Sequence, residues 1–260
     1  MKVVLFCGGA GTRLRDYSEA IPKPMVTIGY RPILWHVMKY YARFGHNDFI
    51  LCLGYKADVI KDYFLNYNEA LSNDFVMQGG ADNIRLLQSD IDDWRITFVD
   101  TGMTTNIGGR LQAVREHLAG EEMFLANYAD TLTDAPVSDI VAQANKSNAV
   151  ASFLAVRPSQ SFHVVGMDAA GQVESIRDVQ KSDTWINGGY FALRQEIFDY
   201  MNEGDELVIE PFARLIEEGK LLGYRYDGFW ACMDTFKEKM QLEDLYTQGI
   251  APWEDVQPAP

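Results

Sequence analysis

Residues 3–14 read Val-Val-Leu-Phe-Cys-Gly-Gly-Ala-Gly-Thr-Arg-Leu, an apolar run that stops at closely spaced glycines. Val3–Cys7 has the length and β-branched content of a strand buried on both faces, and such strands belong to parallel sheets covered by helices. Gly8, Gly9 and Gly11 let the backbone come close to a ligand without Cβ interference and aim several N–H groups at it. A helix beginning there would add the partial positive charge of its N-terminus. Arg13 supplies a planar donor fork suited to phosphate oxygens, and Lys23, between Pro22 and Pro24, supplies a compact charge. Together these residues read as a cradle for a polyphosphate. The spacing is neither G-x-G-x-x-G nor the Gly-Lys-Ser/Thr of a P-loop, so those two nucleotide motifs are excluded.

Strand and helix signals then alternate along the chain. The pattern predicts helices over Ile33–Phe44, Asp58–Leu65, Leu111–Leu118, Val137–Asn145, Glu210–Glu218 and Thr235–Gln248. It predicts strands over Phe49–Leu53, Arg95–Val99, Met123–Ala126, Ala149–Val156 and Trp185–Leu193. This alternation specifies an α/β fold, a Rossmann-like, mostly parallel sheet with helices on both faces, formed as one domain over residues 1–260. The stretch from about residue 66 to 94 breaks the rhythm and reads as an irregular insertion serving a site or an interface. The proline-bearing tail after the last helix is expected to fray.

The net charge of −14 argues against nucleic acid as a partner. If the ligand is itself anionic, that charge also demands concentrated local cations and a divalent metal. Arg13, Lys23 and Arg110 stand out because each lies in a Gly- or Pro-rich segment rather than on a plain helical face. No apolar run reaches the roughly 18 residues of a membrane span, and no signal-like start is present, so a cytoplasmic protein without membrane association is expected. Cys7 and Cys52 lie in apolar, strand-like runs and read as buried small hydrophobes; with Cys232 they are three dispersed cysteines, and no Cys/His spacing suggests zinc.

Further landmarks follow the first loop in order: P-K-P-M, P-I-L-W-H, L-G-Y-K, V-D-T-G, G-G-R-L, an Asp-bearing strand end, W-I-N-G-G and F-W-x-x-M-D-T. In this order and over nearly the whole chain, the sequence resembles the sugar-phosphate nucleotidyltransferases, most of all the branch that joins CTP to glucose 1-phosphate. The resemblance implies that Gly8, Gly9, Gly11 and Thr12 contact a nucleoside triphosphate, with CTP favoured. It implies that Arg13 and Lys23 neutralise the triphosphate and act in catalysis, that Arg110 assists at the nucleotide, and that Asp130 and Asp234 hold Mg2+. Asn187, Gly188 and Glu210 would face the sugar 1-phosphate. The N-terminal half would thus take the nucleotide and the C-terminal half the sugar phosphate, within an expected homo-oligomer.

Two departures from the family pattern lie in this chain. Tyr128-Ala129-Asp130-Thr131 stands where the family has Tyr-Gly-Asp-Gly, so two positions have gained side chains. Asp178-Val179-Gln180 stands where the family has Glu-Lys-Pro, whose lysine binds the sugar's phosphate. Read as part of a strand, this segment puts Arg177 and Lys181 two residues either side of Val179 and on its face, where either could replace that lysine. Two alternatives to the leading reading stay open: transfer to a different phosphorylated acceptor, and a nucleotide-binding regulatory homologue impaired in catalysis.

Overall fold

The computed structural model describes residues 1–9, 21–80, 83–159 and 162–256. In chain order its strands are β1 (Lys2–Phe6), β2 (Thr27–Ile28), β3 (Arg31–Pro32), β4 (Asp48–Leu53), β5 (Phe75–Met77), β6 (Ile84–Leu86), β7 (Arg95–Asp100), β8 (Met123–Asn127), β9 (Thr131–Thr133), β10 (Ala151–Val156), β11 (His163–Met167), β12 (Val173–Asp178), β13 (Ile186–Arg194), β14 (Leu221–Tyr226) and β15 (Trp230–Cys232). The α-helices are α1 (Ile33–Arg43), α2 (Ala57–Leu65), α3 (Ile107–Ala113), α4 (Val137–Asn145), α5 (Glu210–Glu217) and α6 (Phe236–Thr247).

Seven strands form the central sheet in the order β14-β10-β13-β8-β1-β4-β7. All neighbours are parallel except β13, which runs antiparallel to both β8 and β10. Period-two alternation sorts the side chains onto two faces. Val3 and Leu5 of the first strand, with Cys7 just after it, pack with Ile33, Leu34, Val37 and Ile140 on one side. Val4 and Phe6 pack with Leu111, Leu118, Phe212 and Leu215 on the other. The result is the three-layer, mostly parallel α/β arrangement that the alternation of signals specified.

Local chemistry sets the element ends. α1 stops where Gly45 takes φ +76° and its N–H donates to the Ala42 carbonyl at 2.9 Å, while His46 N–H donates to the Tyr41 carbonyl. α3 begins four residues before the predicted start at Leu111, because Asn106 caps it by accepting from Gly109 N–H at 2.8 Å. Arg110 therefore sits on a helix and not in a glycine-rich loop. The glycines beneath it have a packing reason, since a Cβ on Gly108 would overlap the Asp205 carbonyl.

The irregular insertion folds as a small β5–β6 hairpin tied to the core by a buried arginine. Arg31, 2% exposed, donates to Ser72 Oγ, Tyr63 Oη, the Asn68 carbonyl and Asp90 Oδ2. The expected frayed tail is instead packed as far as Val256. Trp253 is 1% exposed, and its carbonyl accepts from Arg43 Nη1 at 2.6 Å. An indole of that area is held by burial rather than by regular structure.

Candidate active site

In an open parallel sheet the carboxyl ends of the strands face the ligand. Here that edge carries Gly8 after β1, Gly54 after β4, Thr101 after β7 and Asp130 after β8. Arg110 reaches it from beneath. Its Nη1 donates to the Leu53 carbonyl at 3.1 Å and to Thr101 Oγ1 at 2.7 Å, and Nη2 donates to the Gly8 carbonyl at 3.0 Å. One buried guanidinium thus joins three strand ends. Gly8 and Gly54 border it, and a Cβ on either would crowd its nitrogen atoms. Burial lowers the Arg110 pKa, with Cys52, Cys7 and Asp100 opposing, but a guanidinium remains charged. Three of its donors are committed to the protein, so its bonds shown here position the turn at Gly8 and the ends of the neighbouring strands. Gly54, Thr101 and Gly102 fall in the landmarks L-G-Y-K and V-D-T-G, but the sequence reading gave them no role.

Gly9, by contrast, is exposed, and among the described residues nothing lies near its Cβ position. Gly11, Thr12 and Arg13 lie outside the described residues.

Lys23 opens a short 3-10 turn, Lys23–Met25, flanked by prolines. Its Nζ donates to Asp130 Oδ2 at 2.6 Å and, closer still, to Asp234 Oδ1. Those two carboxylates are 104 positions apart in sequence, and the antiparallel β9–β15 pair brings them together. Thr131 lies opposite Cys232, and Met233 N–H donates to the Asp130 carbonyl at 3.0 Å. Asp234 is further fixed by Glu238, whose Oε2 accepts from the N–H groups of Asp234 and Thr235 in the capping box of α6. Burial would lower the Lys23 pKa, yet the charge and hydrogen bond of Asp130, then those of Asp234, outweigh it and hold the ammonium above its usual value. Among the described residues no group of three or more His, Cys, Asp or Glu side chains is placed to hold a metal.

Ala129, just before Asp130, has φ +63° and is fully buried. Its N–H donates to Asn127 Oδ1 at 2.7 Å, an Asx-type turn that stabilises the left-handed conformation. This is the strain a non-glycine residue bears there. Thr131 escapes it, being an ordinary residue of β9.

On the other half of the edge, Asn187 Nδ2 donates to Tyr128 Oη at 3.1 Å, and Asn187 Oδ1 accepts from Gly189 N–H. The Gly188 carbonyl accepts from Trp230 Nε1 at 2.8 Å, which links β13 to the β9–β15 ladder. Burial pushes the Tyr128 phenol up to about 12, with Asn187 opposing and Glu206 and Asp130 adding to it. Tyr128, named from sequence only as part of its motif, and Glu206, which sequence reading passed over, are therefore neighbours of this site. Glu210 is exposed at the start of α5, where its Oε2 accepts from Glu206 N–H at 2.8 Å.

The reading of 178–180 as strand is corrected. β12 ends at Asp178, whose side chain accepts from Gln180 N–H, and Val179–Lys181 is a 3-10 turn. Side chains in such a turn repeat every three residues, not every two. The argument that Arg177 and Lys181 share a face with Val179 fails accordingly. Arg177 is exposed on the β11–β12 hairpin opposite Val164, Lys181 is exposed at the end of the turn, and Val179 is buried.

A family model described as Nucleotidyl transferase matches residues 2–256. The chain belongs to the nucleotidyl transferase family. A glucose-1-phosphate cytidylyltransferase from Salmonella typhi is 38% identical over 97% of this chain and 98% of the relative. A Bacillus subtilis relative named "Probable glucose-1-phosphate cytidylyltransferase" is 34% identical over 97% and 99%. Among solved structures, the UTP-bound UGPase from Acinetobacter baumannii shares the fold, with a TM-score of 0.69, 18% identity and coverage of 94% of this chain and 92% of that one. This nucleotidyltransferase is thus an enzyme of the sugar-phosphate branch, with relatives aligned from end to end. No helix among its described residues is long and apolar enough to cross a membrane.

Proposed function

We propose that the protein transfers CMP from CTP to glucose 1-phosphate, releasing pyrophosphate and forming CDP-glucose, with Mg2+ as the metal. The observation that carries this reading is the convergence of Asp130, Asp234 and Lys23 at the carboxyl edge of the sheet, beside the Gly8 turn. The full-length match to glucose-1-phosphate cytidylyltransferase supports the choice of substrates.

The acceptor's phosphate oxygen forms a new bond to the α-phosphorus as the α–β anhydride bond breaks, and pyrophosphate leaves with that electron pair. The nucleophile is already ionised near neutrality, so alignment and charge stabilisation dominate over general base catalysis. The Gly8–Gly9 turn offers backbone N–H groups to the triphosphate, and Lys23 offers a permanently charged ammonium. Arg110 holds the strand ends that aim this turn. Asn187 and Tyr128 bound the acceptor side.

Asp130 and Asp234 already meet at one cationic point, and two hard carboxylates with phosphate and water oxygens suit an octahedral Mg2+. When bound there, the metal supplies charge neutralisation on the transferring phosphoryl group. Self-association is supported by the β5–β6 hairpin, a two-stranded unit that is marginal alone and exposes Phe75, Val76, Met77 and Ile84. Light scattering on the purified chain tests that part.

The substrate reading is tested by pyrophosphate release with four nucleoside triphosphates against a panel of sugar 1-phosphates, with Mg2+ and with chelator. Turnover is expected with CTP and glucose 1-phosphate. Turnover with another pair alone replaces the substrates, and silence with every pair removes the function.

A further inference from the structure

We propose that Arg225, which like Arg157 lies over the Trp185 ring, binds the phosphate of the sugar 1-phosphate acceptor; this rests on the acceptor class given above. An anionic acceptor entering a chain of net charge −14 needs a local cation on its side of the site. Strand register shows which cations stand there. Ala155 of β10 lies opposite both Asn187 of β13 and Arg225 of β14, so all three share one face at the carboxyl edge. Asn187 and Arg225 are separated by one intervening strand, about 10 Å between backbones, a gap that an arginine side chain largely spans.

One step outward, Arg157 and Trp185 are in contact. The Arg157 Cζ lies 4.1 Å from the Trp185 ring centroid and the Arg225 Cζ lies 5.4 Å from it. Two guanidinium groups on one indole concentrate positive charge next to the strand that carries Asn187. Their commitments differ. Arg157 donates to the Ser182 carbonyl and pairs with Asp227 at 3.3 Å and Asp183 at 3.9 Å, which anchors the segment leading into β13. Both carboxylates are highly exposed, so they neutralise it weakly. Arg225 is exposed and makes no ion pair among the described residues. It is the cation left for a ligand, with Trp185 fixing its plane and Arg157 acting as the positioning residue behind the ring. Arg177 and Lys181 stand on the hairpin and its following turn, outside this sheet.

Steady-state kinetics at saturating CTP test the assignment. Arg225→Ala is expected to raise the KM for glucose 1-phosphate about tenfold to a hundredfold, the scale of one lost charge-assisted hydrogen bond. The KM for CTP and the thermal midpoint stay within about twofold and a few degrees of the parent, because a merely structural role would move both. Arg225→Lys recovers part of the loss, since it keeps the charge without the fork. An acceptor KM unchanged in Arg225→Ala overturns the proposal, as does a comparable rise in Arg177→Ala or Lys181→Ala but not in Arg225→Ala. If the parent enzyme turns over no sugar phosphate, the substrate reading fails separately. Calorimetric titration with glucose 1-phosphate then decides: binding by the parent that Arg225→Ala abolishes supports the anion site, and equal or absent binding in both removes it.

Discussion

The guanidinium of Arg110 occupies the space that a side chain at Gly8 would need. The same group accepts no substitute easily, because it serves the Gly8 and Leu53 carbonyls and the Thr101 hydroxyl together. Gly8 and Arg110 are 102 positions apart in sequence and act as one unit.

That coupling predicts non-additive stability. Gly8→Ala and Arg110→Met should each cost about 2–3 kcal/mol, the first by overlap and the second by leaving buried acceptors without a donor. Combined, they should cost less than the sum, since methionine leaves room for the new methyl. Urea denaturation of the four proteins measures the coupling; strict additivity would show that the two residues do not meet.

The Lys23 ammonium should stay charged through every pH at which the enzyme works. Its pKa is raised in the folded state, so its stabilising contribution is complete below the usual lysine value of 10.5 and is lost only as pH rises through the higher folded value. Denaturation midpoints should therefore show no Lys23-dependent fall between pH 7 and 10. Lys23→Met should lower kcat/KM at least about a hundredfold, leaving Asp130 and Asp234 facing one another unneutralised.

His36 predicts the opposite limb. It is 3% exposed, its Nε2 lies 3.0 Å from the Ile28 carbonyl, and Trp253 Nε1 donates to its Nδ1 at 3.4 Å. The neutral tautomer protonated at Nε2 satisfies both partners, and burial lowers the pKa from 6.5 to about 4. The unfolded chain then binds the proton more readily, so stability falls as pH drops from 6.5 towards 4, by up to about 3 kcal/mol from this residue. His36→Gln should flatten that slope in chemical denaturation between pH 7 and 4.5.

Metal dependence should follow the two aspartates separately. Asp130→Asn and Asp234→Asn should each lower kcat by about two orders of magnitude or more. In the parent, chelation should stop pyrophosphate release and added Mg2+ should restore it. Activity unaffected by chelation would remove the metal assignment from both residues.

Much of the architecture was legible from hydrophobic spacing. Val137–Asn145 is helical over the predicted residues, and Phe49–Leu53, Arg95–Val99 and Met123–Ala126 are strands to within one residue at each end. Such segments bury long apolar runs, so tertiary packing agrees with local pattern. The short ladders were silent: Thr131–Thr133 and Trp230–Cys232 are three residues each, too short to show a period. The turn at Val179–Lys181 was misread because a buried valine beside polar residues mimics strand alternation. The packed tail was misread because a single tryptophan, not a pattern, holds it.

Residue order alone specified a parallel sheet opening into a glycine turn and singled out Lys23, while the family resemblance implied that Asp130 and Asp234 share a metal. Their meeting at one point was decided by the β9–β15 pairing, a contact between segments about a hundred residues apart that no local signal encodes. The commitment of the Arg110 fork to three strand ends, and the gathering of Arg157 and Arg225 on one indole, were likewise decided only in three dimensions. Local spacing governs which face of its own helix or strand a side chain occupies, but its partners across the sheet depend on register between distant strands.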